Sequence, residues 1–268
     1  MPLHHAVRTR PDRLAFTTHV EALALWRTVL REVPDPLALC LMPDHLHLLH
    51  ARDVHAALGV ALRSYARWRH TRLSLTGSLW RRPDPPDTVQ GRTKLRRSER
   101  YVHLNPCRAG LASDPLSWPW STHRDRVGLA LPAARARVAD PHRYHHYVSA
   151  DPTVYVHGTE LPIGADQADL EAVVAAVSSL TRTPMDELDR RGSPRQLLVR
   201  SLRLFTPLSC ADIARELGLH RRSVERVAAS QTPATRLVSC VLGDPRFSFL
   251  QGGDLRRQAS WRGYRGRG

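Results

Sequence analysis

Lysine is almost missing from this chain. Lys94 is the single lysine among 40 basic residues, so arginine carries nearly all of the positive charge. Arginine forks onto phosphate and stacks on bases, which lysine does poorly. Codon usage in a GC-rich genome would produce the same replacement, and the two explanations are compatible. Cysteine is scarce as well. Cys40, Cys107, Cys210 and Cys240 are widely scattered with no C-x-x-C spacing, which argues against a zinc knuckle. Cys40 and Cys107 lie in apolar stretches and are expected to be small buried residues in a reducing compartment. No apolar run approaches the roughly 18 residues of a membrane span. The opening residues, Met1-Pro-Leu-His-His5, lack a signal-peptide core. The expectation is a soluble, cytoplasmic chain with no membrane partner. No internal repeat is evident.

What is present is charge and enough apolar material to fold. The 268 residues suit one large domain or two small ones. A hydrophobic content of 42% can build a core and excludes a chain disordered throughout. The net charge is +15 and the sequence pI near 11.0. Such an imbalance favours a polyanionic partner, nucleic acid above all, over a basic surface kept only for solubility.

Periodicity predicts a first strand over residues 3–9 and a helix over 18–31, with Val20, Leu23, Trp26 and Leu30 at helical spacing. Residues 37–41 form a buried-strand run, Pro43-Asp44 makes a turn, and residues 45–50 make the return strand. An amphipathic helix over 54–70 follows, and Leu79-Trp80 is placed at the start of a further strand. The proline-rich stretch 83–87 is expected to be loop. A helix over 93–105 should end at Pro106. Strand–helix–strand–strand–helix–strand is the ferredoxin-like order. The expected fold is therefore α+β, an antiparallel sheet with helices on one face over residues 1–128, then an all-α domain. Residues 129–165 lack periodicity and are expected to be a linker with local structure. Helices are predicted over 169–180 and 194–205 in a helical domain spanning 166–250. There, residues 208–227 carry a capping-box pattern at Ser209 and Asp212, the apolar Ile213, Leu217, Leu219 and Val224, and a turn at Gly218. This segment resembles the helix-turn-helix of bacterial replication-initiator DNA-binding domains, which would put His220, Arg221, Arg222 and Arg226 at or near a recognition helix. A helical hairpin with a solvated basic face is the plainer alternative. The tail, 251–268, is rich in Arg and Gly and is expected to be disordered, adding non-specific DNA contacts.

Two segments carry chemistry. The first is Cys40-Leu-Met-Pro-Asp-His-Leu-His-Leu-Leu49. Residues i and i+2 of a strand share a face, so His45 and His47 can grip one metal ion together. The second is Tyr101-Val-His-Leu-Asn-Pro-Cys-Arg-Ala-Gly-Leu111, where Tyr101 and Asn105 lie one helical turn apart on one face. A lone His-x-His is weak in a chain with 15 histidines. The two segments together, in this order and spacing, and followed by Asp114-Pro-Leu-Ser-Trp-Pro-Trp-Ser121, resemble the REP-associated tyrosine transposases, single-tyrosine members of the HUH single-strand endonucleases. The resemblance covers roughly the first half of the chain.

The resemblance implies a ferredoxin-like catalytic domain with Tyr101 as nucleophile and a divalent metal, Mg²⁺ or Mn²⁺, held by His45, His47 and Asn105. It implies attack on single-stranded DNA beside a hairpin of a palindromic repeat, a 5′-phosphotyrosyl link and strand transfer. Arg108, just past the expected helix end, is a candidate phosphate contact, and His103 is an alternative third ligand. Plainer roles stay open: Tyr101 as a core tyrosine, Asn105 as a helix C-cap. The sequence departs from the family in its first strand, in Trp80-Arg-Arg-Pro-Asp-Pro-Pro86, and in the leucine-poor helix before Tyr101. Two other functions remain in view: a non-catalytic DNA-binding regulator acting through the helix-turn-helix, and a metal-dependent nuclease with no covalent step.

Overall fold

The computed structural model describes residues 1–131, 133–158, 168–229 and 232–247. The chain divides into two compact units. Among the described residues the first holds 1–127 and 133–157, and the second holds 128–131 and those from 158 onward.

The first unit is built on a four-stranded antiparallel sheet in the order β2-β3-β1-β4. Its elements run β1 (Leu3–Arg8), α1 (His19–Glu32), β2 (Ala38–Leu41), β3 (His45–His50), α2 (His55–Leu73), β4 (Asp87–Thr88) and α3 (Arg92–Arg108). This is the ferredoxin-like order, with β1 and β3 central. Thr18 caps α1 by accepting from the Glu21 amide at 3.3 Å. Ala22, Leu25, Trp26 and Val29 then fall on its buried stripe. They share one core with Leu58, Leu62 and Tyr65 of α2 and with Val7, Leu39, Leu46 and Leu48 of the sheet. The two helices are also joined by a buried ion pair, in which Arg69 Nη2 of α2 lies 3.3 Å from Glu21 Oε2 of α1.

Three local expectations are corrected. The fourth strand is Asp87–Thr88, at the end of the stretch expected to be loop, and Leu79-Trp80 gives only an isolated bridge, Thr9 to Trp80. The reason lies in the free edge of β1. It is covered once by residues 79–81, through Arg10 N to Leu79 O (3.0 Å) and Arg81 N to Arg8 O (2.9 Å), and again by β4. The prolines bulge between the two contacts, where no ladder hydrogen bond is asked of them. Second, α3 does not stop at Pro106 but runs to Arg108. Pro106 forfeits its own N–H bond, yet the buried Val102, Leu104 and Pro106 hold the turn. The Ala109 amide donates to Asn105 O at 3.0 Å, so Ala109 and not Asn105 ends the helix. Third, helices cover both faces of the sheet. His5 stacks on His55 at the start of α2, while Tyr101 of α3 meets His47 on the opposite face.

The exposed edge of β2 is covered by the Trp-rich segment. Leu41 N donates to Trp120 O (2.8 Å), Thr122 N to Leu39 O (2.9 Å), and Trp118 Nε1 to Leu41 O (2.9 Å). After α4 (His123–Val127), the aperiodic region expected to be linker holds α5 (Pro141–Ser149), capped by Asp140. Val148 of α5 packs with Leu104 of α3 and with Val154, so residues 133–157 complete the first unit.

The second unit is helical: α6 (Leu170–Thr181), α7 (Ser193–Phe205), α8 (Cys210–Glu216), α9 (Arg221–Ala228) and α10 (Pro233–Leu242). Asp169 caps α6, and Ser209 with Asp212 forms the expected capping box on α8. Gly218 takes φ of 61° in the α8–α9 turn, a region costly for side chains bearing Cβ. Ile213 and Val224 are fully buried, whereas Leu217 and Leu219 are only half-buried. The Arg/Gly tail, 251–268, lies outside the described residues. Among the described residues no helix is long and apolar enough to cross a membrane.

Removing one member of the Glu21–Arg69 pair strands a buried charge. Glu21→Ala should cost about 3–5 kcal/mol in urea denaturation, and adding Arg69→Met should recover much of the loss. Equal loss in the single and double variants would show that the pair is not coupled.

Candidate active site

β3 places His45 and His47 on the sheet face that α3 covers. Their ring centroids are 4.9 Å apart, at an interplanar angle of 85°. Each has its Nδ1 engaged. His45 Nδ1 is 2.6 Å from Asp44 Oδ1, and His47 Nδ1 is 3.1 Å from His4 Nε2. The Nε2 atom is therefore the one each ring can offer to a metal, with its partner fixing tautomer and orientation. His47 is buried, and its pKa is held well below the ordinary histidine value, first by burial and then by the neighbouring His45, His4 and Arg8. The pKa of His4 is lowered by burial, against an opposing pull from Asp87. Neutral imidazole is the form that binds metals.

Tyr101 stands on α3 above this pair. Its ring lies edge-on to His47 at 5.4 Å and to His4 at 6.2 Å, and the residue keeps 42% of its surface exposed. A core tyrosine would not be so open. One turn on, Asn105 is buried, and its Nδ2 donates to the Tyr101 carbonyl at 3.0 Å. That bond uses the donor end of the amide; ligation would use the oxygen. Arg108 lies 5.6 Å from the Tyr101 ring centroid and 3.4 Å from Asp151, which also meets Arg100 at 3.2 Å. A phosphate at Arg108 would have to compete with Asp151. Among the described residues no group of three His, Cys, Asp or Glu is gathered to hold a metal.

His103 is turned away from the site. It is fully buried, with Nδ1 3.1 Å from Ser121 Oγ and Nε2 3.0 Å from the Tyr144 hydroxyl, so both ring nitrogens are engaged. This removes it as an alternative ligand. Its pKa falls to about 3, first because burial penalises the charged ring and then through Arg126. Beside it His123, also buried, stacks on Tyr144 and approaches His145 at 3.0 Å. Cys40 is buried and Cys107 half-buried, and burial raises both thiols, Cys107 to about 12. Neither is poised to react.

His4, Asp44 and Asp151 are the site residues that motif spacing misses. A signal for His4 exists in the His4-His5 pair. On a strand, one of two adjacent histidines must face each side. His4 sits diagonally from His47, across the small Ala6, which leaves room for the rings to stack at 5.1 Å. Asp151 comes from a stretch with no periodic pattern. In the second unit His220, Arg221, Arg222 and Arg226 are all exposed on or beside α9. His220 caps that helix, and Arg221 pairs with Glu225 at 2.7 Å.

No protein-family model matches the chain, and no curated protein matches it. Among solved structures, a REP-associated tyrosine transposase bound to a REP hairpin aligns over 46% of this chain and 78% of that one, with 18% identity and a TM-score of 0.37.

Because His103 is held neutral when folded, its contribution to stability is complete above the unfolded value near 6.5 and is lost as pH falls toward about 3. Between about pH 7 and pH 5 this one group should cost about 2 kcal/mol of unfolding free energy. His103→Gln should show a correspondingly smaller drop in urea midpoint over that interval. An equal drop in both proteins would place the acid sensitivity elsewhere.

Proposed function

We propose that this chain is a metal-dependent single-stranded DNA endonuclease and strand transferase with Tyr101 as its nucleophile. The support is one juxtaposition: a half-exposed tyrosine edge-on to His47 of a histidine pair on a sheet face. The donor set fits Mg²⁺ or Mn²⁺, with Nε2 of His45, Nε2 of His47 and the amide oxygen of Asn105 as protein ligands. Bound there, the cation would polarise a non-bridging oxygen of the scissile phosphate. Asp44 and His4 hold the two imidazoles in the required tautomer. Attack by the Tyr101 oxygen on phosphorus forms the tyrosyl ester and breaks the bond to the 3′ oxygen. The phenolic proton is exchanged for one on the departing 3′ hydroxyl. The link conserves bond energy, so a 3′ hydroxyl can reverse the step and join strands.

The substrate class follows from the resemblance of the histidine and tyrosine segments to the REP-associated tyrosine transposases: a single strand beside a hairpin formed by a palindromic repeat. Arg108 meets the phosphate in place of Asp151, and His220, Arg221, Arg222 and Arg226 supply further DNA contacts from the second unit. The exposed basic face of α9 favours one other reading, a non-catalytic DNA-binding regulator acting through α8 and α9.

The two readings part on a covalent product. Labelled single-stranded hairpin DNA should give an SDS-stable adduct with the parent chain and none with Tyr101→Phe, whose DNA affinity should stay nearly unchanged. Cleavage by the phenylalanine variant would remove Tyr101 from its role. His45→Ala and His47→Ala should each abolish cleavage, and EDTA should do the same to the parent. Asn105→Ala should be milder, because water can replace an amide oxygen. His4→Ala should weaken Mn²⁺ binding, followed by electron paramagnetic resonance, by about 10–100-fold. Full activity in EDTA would sink the metal assignment.

A further inference from the structure

A second concave site lies in the first unit, between α2 and residues 77–83. It is a cavity of about 770 Å³ rimmed by Arg10, Arg63, Arg67, Arg81 and Arg82, with no Asp or Glu in its lining. All five arginines are exposed, and none has an ion-pair partner among the described residues. Other arginines of this unit are tied down, Arg69 by Glu21 and Arg108 by Asp151. The floor is different in kind. Leu62 and Leu79 are buried there and Ala66 half-buried, with Trp80 anchored by its Nε1–H to Leu62 O at 3.1 Å. His70 also lines the cavity, and its Nε2 is buried without a hydrogen-bond partner among the described residues. Gly59 contributes an empty position, where an added Cβ would meet only the Arg63 Nη1 atom, at 3.2 Å.

Unpaired cations on the rim, an apolar floor and one idle polar nitrogen match a phosphate joined to a flat, mostly apolar ring. The geometry points to a binding site for an unstacked nucleotide of single-stranded DNA, with phosphates on the arginines and the base against the floor. A duplex could offer the rim its phosphates, but its stacked bases could not enter. One backbone hydrogen bond ties the rim of the cavity to the strand that pairs with β3. Arg81 N donates to Arg8 O at 2.9 Å, and Arg8 is the residue of β1 paired with His45. The inference rests on the single-strand reading above and assigns a separate grip on the same substrate.

The test uses the full chain in EDTA, so that binding is read without chemistry, with a fluorescein-labelled oligothymidylate followed by anisotropy. Gly59→Leu fills the cavity in a helix where leucine is favoured over glycine, so folding is preserved. It should weaken single-strand binding about tenfold, the scale of losing one stacked base, and barely change binding of the annealed duplex. The Arg63→Gln/Arg67→Gln double variant should flatten the log–log salt dependence by roughly 1.4, about 0.7 for each lost phosphate contact. Thymidine monophosphate should compete better with the parent than with Gly59→Leu. Single-strand affinity and salt slope unchanged in both variants would overturn the assignment, as would an equal loss on the duplex. Inorganic phosphate competing as well as the nucleotide would reduce the cavity to an anion site and overturn it too. Loss of binding in Gly59→Leu alongside a parent chain that forms no Tyr101 adduct would uphold this site while rejecting the nuclease reading.

Discussion

The antiparallel register of β1 against β3 is the constraint on which the first unit depends. Ala6 faces His47 and Arg8 faces His45, which fixes what each face of the sheet carries. One face receives Val7, Leu46 and Leu48 for the core, and the other receives His4, His45 and His47. A slip of one residue would exchange the faces, sending imidazoles into the α1–α2 core and leucines beneath Tyr101. The hydrophobic demand of the core thus sets the chemistry on the other side. The price of a misplaced register falls on both, so folding and site assembly are one event.

The third helix adds the second half of the site and sets its electrostatics. By covering the histidine face it buries His47 and keeps it neutral, yet it leaves the adjoining tyrosine open to solvent. The same helix sends His103 to its far side, into a polar cluster with Ser121 and Tyr144. Residues two positions apart on α3 therefore serve opposite sides: Tyr101 faces the histidine pair, and His103 binds Tyr144 of residues 133–157 to the unit. That segment returns Asp151 to Arg100 and Arg108, which balances the cations flanking the tyrosine.

Much of this is legible in the sequence wherever a period is long enough to register. His45 and His47 stand out because an alternating run lies behind a Pro-Asp turn, and Tyr101 and Asn105 because helical spacing spans them. The two-residue β4 carries no period, and its pairing is decided by an open edge far away in sequence. Pro106 reads as a stop because local rules weigh its missing N–H and cannot weigh the burial that holds the turn. His4 is hidden in a strand that looks polar, since its value lies in a diagonal neighbour across the sheet. The helix Pro141–Ser149 escapes notice because its apolar stripe is thin, one buried valine among histidines and tyrosines.

The near-absence of lysine gives the chain a chemical singularity. Lys94 is the one side-chain amine, and its Nζ bonds the Thr88 carbonyl at 3.0 Å, tying the first turn of α3 to β4. An amine-directed reagent has a single side chain to modify, seven residues before Tyr101 and on the same helix. Acylation there would remove a charge and loosen the clasp on the edge strand without touching any arginine. A dye at that position would report the junction of sheet and helix next to the tyrosine, in a protein whose other basic side chains are invisible to the reagent.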